Sequence, residues 1–423
     1  SRASYDAHES VPEFWAPRTP GHWAAPSGIR KEDTSVTHND LRGISDKACI
    51  VGVGQTDYSK ASGRSVQALA LQAARAAVAD AGLKPPDIDA ILPYVLGPGA
   101  DEMAAQLGIG DLRYSSIIKM GGATFVANLE TAALLIHSGI ARNVLVFCAR
   151  NGRSGTRVAG RVVTIPGQGF RRDFENPYGW SVPGQWYAII ARRHMIEFGT
   201  TREDAGHFAV AVRKHANLNP NAMMHGVPMS MDDYMNSRPM YDPFHLLDCC
   251  LESDGAGAYI VSSAEQAKDM PHKPVFISGA AQAKPACSDD LCNRPDMFEI
   301  GLTKAAPRAF GQAGVKPGDM DGAMIYDCFS YVALLELEEA GFCARGEVGE
   351  FVKGGRIELG GKLPINTHGG LLSEAHIAGI NHVIEAVHQL RGDCGPRQIP
   401  NARHIAVTGW GDLGDGALAV LRS

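Results

Sequence analysis

The stretch AGLKPPDIDAILPY (Ala81–Tyr94) returns later in the chain as AGVKPGDMDGAMIY (Ala313–Tyr326), with Ala, Gly, Lys, Pro, two Asp and Tyr in register. A repeat spaced by about half the chain is far longer than the roughly 20–50 residue period of a solenoid. It implies two similar α/β halves packed together. Ahead of the first copy, KACIVGVGQTDYS from Lys47 is a short apolar run closed by glycines, which predicts a strand. SVQALALQAARAAVADAG then carries apolar residues at helical spacing and ends in Gly82 as a C-cap. A second echo links Met120–Ala149 with His368–Gly392. Both are expected to run from Gly-Gly into a small-residue helix, the first then entering a VLVF strand and the second reaching HIAVTGWG at His404.

This divides the chain. Residues 46–270 form the first half and 271–423 the second, with an insertion at about 151–248 of the kind that supplies lids and substrate-binding loops. The insertion carries QWYAIIARRHMIEFG, a helix whose Arg192, Arg193 and His194 read either as a solvated face or as a phosphate contact. Residues 1–45 are different: prolines and exposed-looking aromatics without periodicity mark an extended N-terminal arm. Phe14, Trp15 and Trp23 need a place to bury, either on their own domain or against a partner.

With 45% apolar and 20% charged residues the chain is a globular protein with a large core. The net charge of −6 comes without a basic block, which argues against a nucleic-acid surface. No run of about 18 apolar residues and no signal-peptide pattern occurs, so a soluble, cytoplasmic protein is expected, with no membrane partner. Nine cysteines, an odd count, fit a reduced compartment; Cys49, Cys148, Cys249 and Cys250 sit in apolar runs that read as core. Cys287 and Cys292 lack a second ligand pair at zinc spacing, so no metal is expected.

Two stretches have the composition of a buried site, with Gly and small residues between apolar runs and uncharged titratable groups among them: INTHGGLLSEAHIAGINH (Ile365–His382) and IYDCFSY (Ile325–Tyr331). Such segments let backbone N–H groups approach a ligand closely. Function is expected there.

The duplication, the Gly-Gly element, YAIIARRHMIEFGTTREDAGHFAVAVRKHANLNPNA, RPMYDPFHLLDCCLESDGAGAYIV, HGGLLSEAH and GWGDLGDGALAV together resemble the thiolase superfamily, above all the sterol-carrier-protein type often labelled lipid-transfer protein. The likeness covers about Asp46 to Ser423 and leaves the arm outside. It implies a thiolase-like α/β fold, two duplicated halves in a five-layer α-β-α-β-α arrangement. Thiolases place a nucleophilic Cys at the start of a buried helix, where the dipole favours thiolate. Counted back from Ser138 and Gly139, that position falls at about Gly122, and the second thiolase cysteine, expected about Thr408–Trp410, is also missing. The family's Asn-Glu-Ala-Phe loop stands here as Tyr326, Asp327, Cys328, Phe329, and its Gly-His-Pro loop as Ala375, His376, Ile377.

A site that keeps a thioester pocket without an acyl-accepting thiol cannot run thiolase chemistry but can still stabilise an acyl-CoA enolate. YDCFSY followed by NTHGGLLSEAH resembles the thiolase-like aldolases of bacterial steroid side-chain degradation. The resemblance implies retro-aldol cleavage of the Cα–Cβ bond of a β-hydroxyacyl-CoA to a ketone and a short acyl-CoA such as propionyl-CoA or acetyl-CoA. It also implies no cofactor beyond the CoA thioester, a homodimer, and a separate small zinc-ribbon and OB-fold partner giving a heterotetramer. In those aldolases a Tyr takes the place of His376, within GGLLSEGY. The alternatives are a non-catalytic acyl-CoA or lipid-binding protein and a residual thiolase using another cysteine.

The catalytic candidates are His376 as base, Tyr326 as donor or base, Tyr331, and Asp327 as an orienting group or a helix N-cap. Gly121, Gly122, His368, Gly369, Gly370 and Glu374 are the candidate substrate and CoA contacts.

Overall fold

The structure, a computed structural model, describes residues 43–158, 160, 169–288 and 290–423. Phe14, Trp15 and Trp23 of the expected arm lie outside the described residues.

Among the described residues eleven strands run in chain order: β1 Ala48–Gln55, β2 Ala90–Pro93, β3 Tyr114–Ser115, β4 Asn143–Asn151, β5 Pro239–Tyr241, β6 Phe244–His245, β7 Asp254–Ser263, β8 Val275–Ala283, β9 Gly322–Met324, β10 His404–Gly411 and β11 Asp415–Arg422. Nine of them form one mixed sheet in the order β3-β2-β4-β7-β1-β8-β11-β10-β9, and β5 pairs with β6 in a separate hairpin. Strands β1 to β4 and β7 come from the first half, β8 to β11 from the second. The two groups join where β1 pairs antiparallel with β8. The repeated stretch has the same form twice. A 3-10 turn at Pro85–Asp87 leads into β2, which runs parallel to β4, and one at Pro317–Asp319 leads into β9, which runs parallel to β10.

The seven longer helices used below are α1 Val66–Asp80, α2 Thr124–His137, α3 Pro183–Phe198, α4 Arg202–Ala216, α5 Gly301–Ala313, α6 Ser330–Glu339 and α7 Ile380–Arg391. Helix α1 starts where the Ser65 side chain accepts from the Ala68 N–H, and Gly82, at a φ of 69°, follows its last turn. Its alanines permit a close approach to β1. A Cβ on Gly52 would lie 2.2 Å from the Ala77 carbonyl oxygen, so glycine is required in the strand.

Helices α2 and α7 are buried almost all round and pack against strands of both halves, while α1 covers the other face of the first half and α5 that of the second. This layering explains why β4, β7 and β11 are nearly continuous apolar runs, because both of their faces are covered. No helix among the described residues is long and apolar enough to cross a membrane.

The second echo differs from its sequence reading. Gly369-Gly370 open a π-helical turn, Gly370–Glu374, and α7 starts only at Ile380. The backbone counterpart of Gly121, at a φ of 50°, is Ala378, at 52°, just ahead of that helix. Nor do Arg192, Arg193 and His194 form a cluster. Arg192 pairs with Asp242 at 2.5 Å and Arg193 with Glu197, both at the surface, whereas His194 is buried against Glu338 at 2.8 Å and Thr200 at 2.9 Å. A helix turns successive residues by about 100°, so three neighbours cannot share one face.

Candidate active site

The N-termini of the two central helices, α2 and α7, meet at the ring of Tyr326. A Cβ on Gly122 would lie 2.1 Å from Cζ and Oη of Tyr326, and one on Gly379 would lie 2.8 Å from its Cε2. The phenol thus fills the space that a side chain at position 122 would need. Its backbone is fixed from behind: the Tyr326 N–H donates to Glu336 Oε2 at 3.1 Å and to Thr408 Oγ1 at 3.0 Å, and the Thr408 hydroxyl is itself bonded to Glu336. Burial raises the carboxyl of Glu336 well above the usual range.

His376 reaches the same point from the other loop. Ala375 leaves the π turn in an extended conformation, and the His376 N–H donates to Ser253 Oγ at 3.1 Å. The His376 ring places Nε2 3.3 Å from Tyr326 Oη and Nδ1 3.4 Å from Cys250 Sγ. Burial pushes the Tyr326 phenol well above its ordinary value. Cys328, Tyr94 and Cys250 act in the same direction, and Arg150 opposes them. Tyr326 is therefore a neutral donor at physiological pH.

Both side chains line a cavity of about 520 Å3 with Gly121 and Gly122. Trp186, Tyr187, Met224, Leu247, Phe329 and Trp410 supply apolar wall, and Lys60, Arg150, Arg153 and Arg157 supply positive charge. The insertion contributes much of this wall. Its α3 brings Trp186 and Tyr187; the Tyr187 ring packs edge-on against Trp410 and Phe329, each at 5.5 Å between centroids. Asp254, at the start of β7, accepts from the N–H groups of Ser62, Arg153 and Ser154 and so holds together the loops at the basic side.

The other sequence-chosen residues are buried away from the cavity lining. Asp327 accepts from the N–H groups of Leu371 at 2.7 Å and Leu372 at 3.2 Å, tying the Tyr326 loop to the π turn, and it lies 3.2 Å from His382 Nε2. Glu374 accepts from Asn219 and Asn381 at 2.9 and 2.8 Å, and burial raises its carboxyl to about 8. The His368 ring stands edge-on to His382 at 4.8 Å; burial and the neighbouring His382 hold its pKa well below the usual value. Gly369 and Gly370, with φ of 109° and 63°, make the left-handed bend that opens the π turn. Tyr331 is enclosed in the core on α6, with its ring edge-on to His194 at 5.4 Å.

The structure corrects the reading of Cys249 and Cys250 as core. Both are only partly buried, and both line the cavity. Their placement comes from long-range pairing: the Cys250 N–H donates to the Cys328 carbonyl and the Leu251 N–H to the Leu371 carbonyl, each at 3.0 Å. The sequence signal was a Cys doublet inside a motif already recognised for its resemblance. Arg150 was missed for a similar reason, since it lies near the end of a strand, β4, that reads as core throughout.

Residues 284–422 match the family described as thiolase C-terminal domain-like. A steroid side-chain-cleaving aldolase from Thermomonospora curvata is 40% identical over 377 residues, 86% of this chain and 95% of that protein. The 17-hydroxy-3-oxo-4-pregnene-20-carboxyl-CoA lyase of Mycobacterium tuberculosis is 41% identical over 379 residues, covering 86% and 96%. The chain belongs to the thiolase superfamily, in its thiolase-like aldolase branch. The solved structure of an Ltp2-ChsH2(DUF35) aldolase superposes with a TM-score of 0.85 at 38% identity, covering 90% of this chain and 98% of that one. Within a thiolase-like frame, the crowding at Gly122 has a specific meaning: where the resemblance puts a nucleophilic thiol, this chain has the ring of Tyr326.

Proposed function

We propose that this chain is a retro-aldolase that cleaves the Cα–Cβ bond of a β-hydroxyacyl-CoA carrying a steroid-like apolar body, releasing a ketone and a short acyl-CoA. The observation that carries the reading is the Tyr326–His376 pair, 3.3 Å apart in the cavity wall, with the phenol occupying the space over Gly122. In this reading His376 Nε2 takes the β-hydroxyl proton. The electrons of that O–H bond form the ketone as the Cα–Cβ bond breaks, and its electron pair passes to the thioester enolate. The same imidazolium then returns the proton to Cα. Tyr326, kept protonated by burial, donates to the oxygen on which charge changes. The N-terminal ends of α2 and α7 add a positive potential at the same point, which favours an enolate there. The apolar wall suits a fused-ring substrate, and Lys60, Arg150, Arg153 and Arg157 suit the phosphates of CoA. Asp327, His368, Gly369, Gly370 and Glu374 hold the loops in place, and Tyr331 supports α6.

The similar proteins support this assignment, one being a steroid side-chain-cleaving aldolase and the other a carboxyl-CoA lyase. Purified protein should release ketone and acyl-CoA from a tertiary β-hydroxyacyl-CoA and give no thiolysis of an acetoacetyl thioester. Robust thiolysis without cleavage would overturn the assignment.

The proposal includes a homodimer flanked by two copies of a small zinc-ribbon and OB-fold partner. Its support is the likeness to the solved Ltp2-ChsH2(DUF35) aldolase. Co-expression followed by light scattering, with residues 1–45 deleted as a control, tests both the partner and the arm. A fully active monomer indifferent to the partner would refute it.

A further inference from the structure

We propose that Cys250 is a positioning residue for His376, its sulfur accepting the Nδ1–H hydrogen so that the Nε2 lone pair is turned toward Tyr326. The kinetic consequence rests on the retro-aldolase reading; the tautomer rests on the geometry and on the protonated phenol of Tyr326. Three observations meet here. Cys250 Sγ is 3.4 Å from His376 Nδ1, a normal distance for a hydrogen bond to sulfur. Nε2 on the opposite side of the ring is 3.3 Å from Tyr326 Oη. The segment carrying the sulfur is held by the backbone bonds from Cys250 to Cys328 and from Leu251 to Leu371, and by the bridge between Cys249 and Phe329.

A neutral imidazole has one N–H, and the other nitrogen accepts. The buried phenol of Tyr326 keeps its hydrogen and needs an acceptor, and Nε2 is within reach. With the phenol donating to Nε2, the hydrogen sits on Nδ1, where it faces the sulfur. Cys250 serves as a neutral acceptor and not as a nucleophile, because burial, Cys249 and Asp327 all push its thiol well above the ordinary value. An orienting partner on the far nitrogen is how a histidine base is commonly fixed in one tautomer.

Selective 15N-histidine labelling tests this, with the His376 resonances assigned by their loss in His376→Gln. The wild type should show the Nδ1–H tautomer. Cys250→Ser, which still accepts, should keep it, and Cys250→Ala should shift to a mixture or to Nε2–H. In turnover, Cys250→Ala should lower kcat about tenfold with little change in KM, and Cys250→Ser should recover most of the loss. An Nε2–H tautomer in the wild type would overturn the proposal, as would a Cys250→Ala variant with the wild-type spectrum and kcat. If Cys250→Ala fails to fold, the wild-type and Cys250→Ser spectra decide. If the protein cleaves no β-hydroxyacyl-CoA, the functional reading fails while the spectra still decide the role of Cys250.

Discussion

Gly122→Ala is the smallest change that asks whether Tyr326 occupies the thiolase nucleophile's space. Gly122 is not among the residues in the left-handed region, so alanine brings no backbone strain and the substitution tests side-chain space alone. The new methyl carbon would lie 2.1 Å from both Cζ and Oη of Tyr326, well inside the roughly 3.5–4.0 Å optimum for non-bonded carbons. The start of helix α2 is buried, and the neighbouring Gly411 and Gly409 are already tight against Met120 and Ala123, so the helix cannot retreat. The ring has to swing instead. Overpacking of this kind costs about 1–3 kcal/mol. The swing also breaks the 3.3 Å contact with His376, so kcat should fall by about two to four orders of magnitude, the range for losing acid–base function. Thermal unfolding and steady-state kinetics should be measured for Gly122→Ala, Tyr326→Ala and the double variant. The stability penalty of the methyl group should largely disappear once the ring is gone, giving a coupling of about 1–3 kcal/mol. A Gly122→Ala protein with wild-type melting and turnover would refute the reasoning.

His376→Ala should lower kcat by about two to four orders of magnitude with a smaller change in KM, and Tyr326→Phe should also be slow; near-normal turnover of the histidine variant would move the base elsewhere. Glu374, raised from 4.5 to about 8, binds a proton in the folded state that the unfolded state releases. Stability should therefore fall as pH rises from about 4.5 to about 8, by at most about 1.4 kcal/mol per pH unit from this group, and urea titrations should show a shallower slope in Glu374→Gln. Asp327→Asn should cost about 1.5–3 kcal/mol, because it weakens the charged acceptor of the Leu371 and Leu372 N–H groups; hydrogen exchange at those two amides would report the loosened turn.

What the sequence made legible follows from what local pattern can carry. The repeated stretch predicts two equivalent turn-and-strand units, and Pro85–Asp87 with β2 and Pro317–Asp319 with β9 have that form, because proline, aspartate and the apolar run act over a few residues. Tyr326 and His376 were also readable, since each stands in a glycine-rich or small-residue stretch whose composition already marks close packing. Cys250 and Arg150 were not. Their positions depend on antiparallel pairings with chain segments far away, Cys250 with Cys328 and Arg150 with Gly255, and no local periodicity records such a register. The same limit explains Asp327. Beside a tyrosine it reads as an orienting group or a helix N-cap, and the fold shows that its oxygens meet two backbone N–H groups of the π turn.

The duplication also explains how one site can change its chemistry without changing its frame. Tyr94 is the repeat partner of Tyr326, and its ring packs against Phe125 of α2 at 5.4 Å, so a tyrosine at this strand end points at the same central helix from both halves. Tyr326 meets Gly122 at the start of that helix, where its ring comes over the helix N-terminus. A thiol at position 122 and a phenol at position 326 compete for one volume, so the two chemistries exclude each other sterically. Gly122→Cys alone should therefore not yield a thiolase, since the sulfur would have to displace the ring. Gly122→Cys with Tyr326→Ala frees the space, and mass spectrometry after incubation with acetyl-CoA should show an acetyl group on the introduced cysteine in the double variant and none in the single one. Equal acylation of both would mean that the volume is not shared.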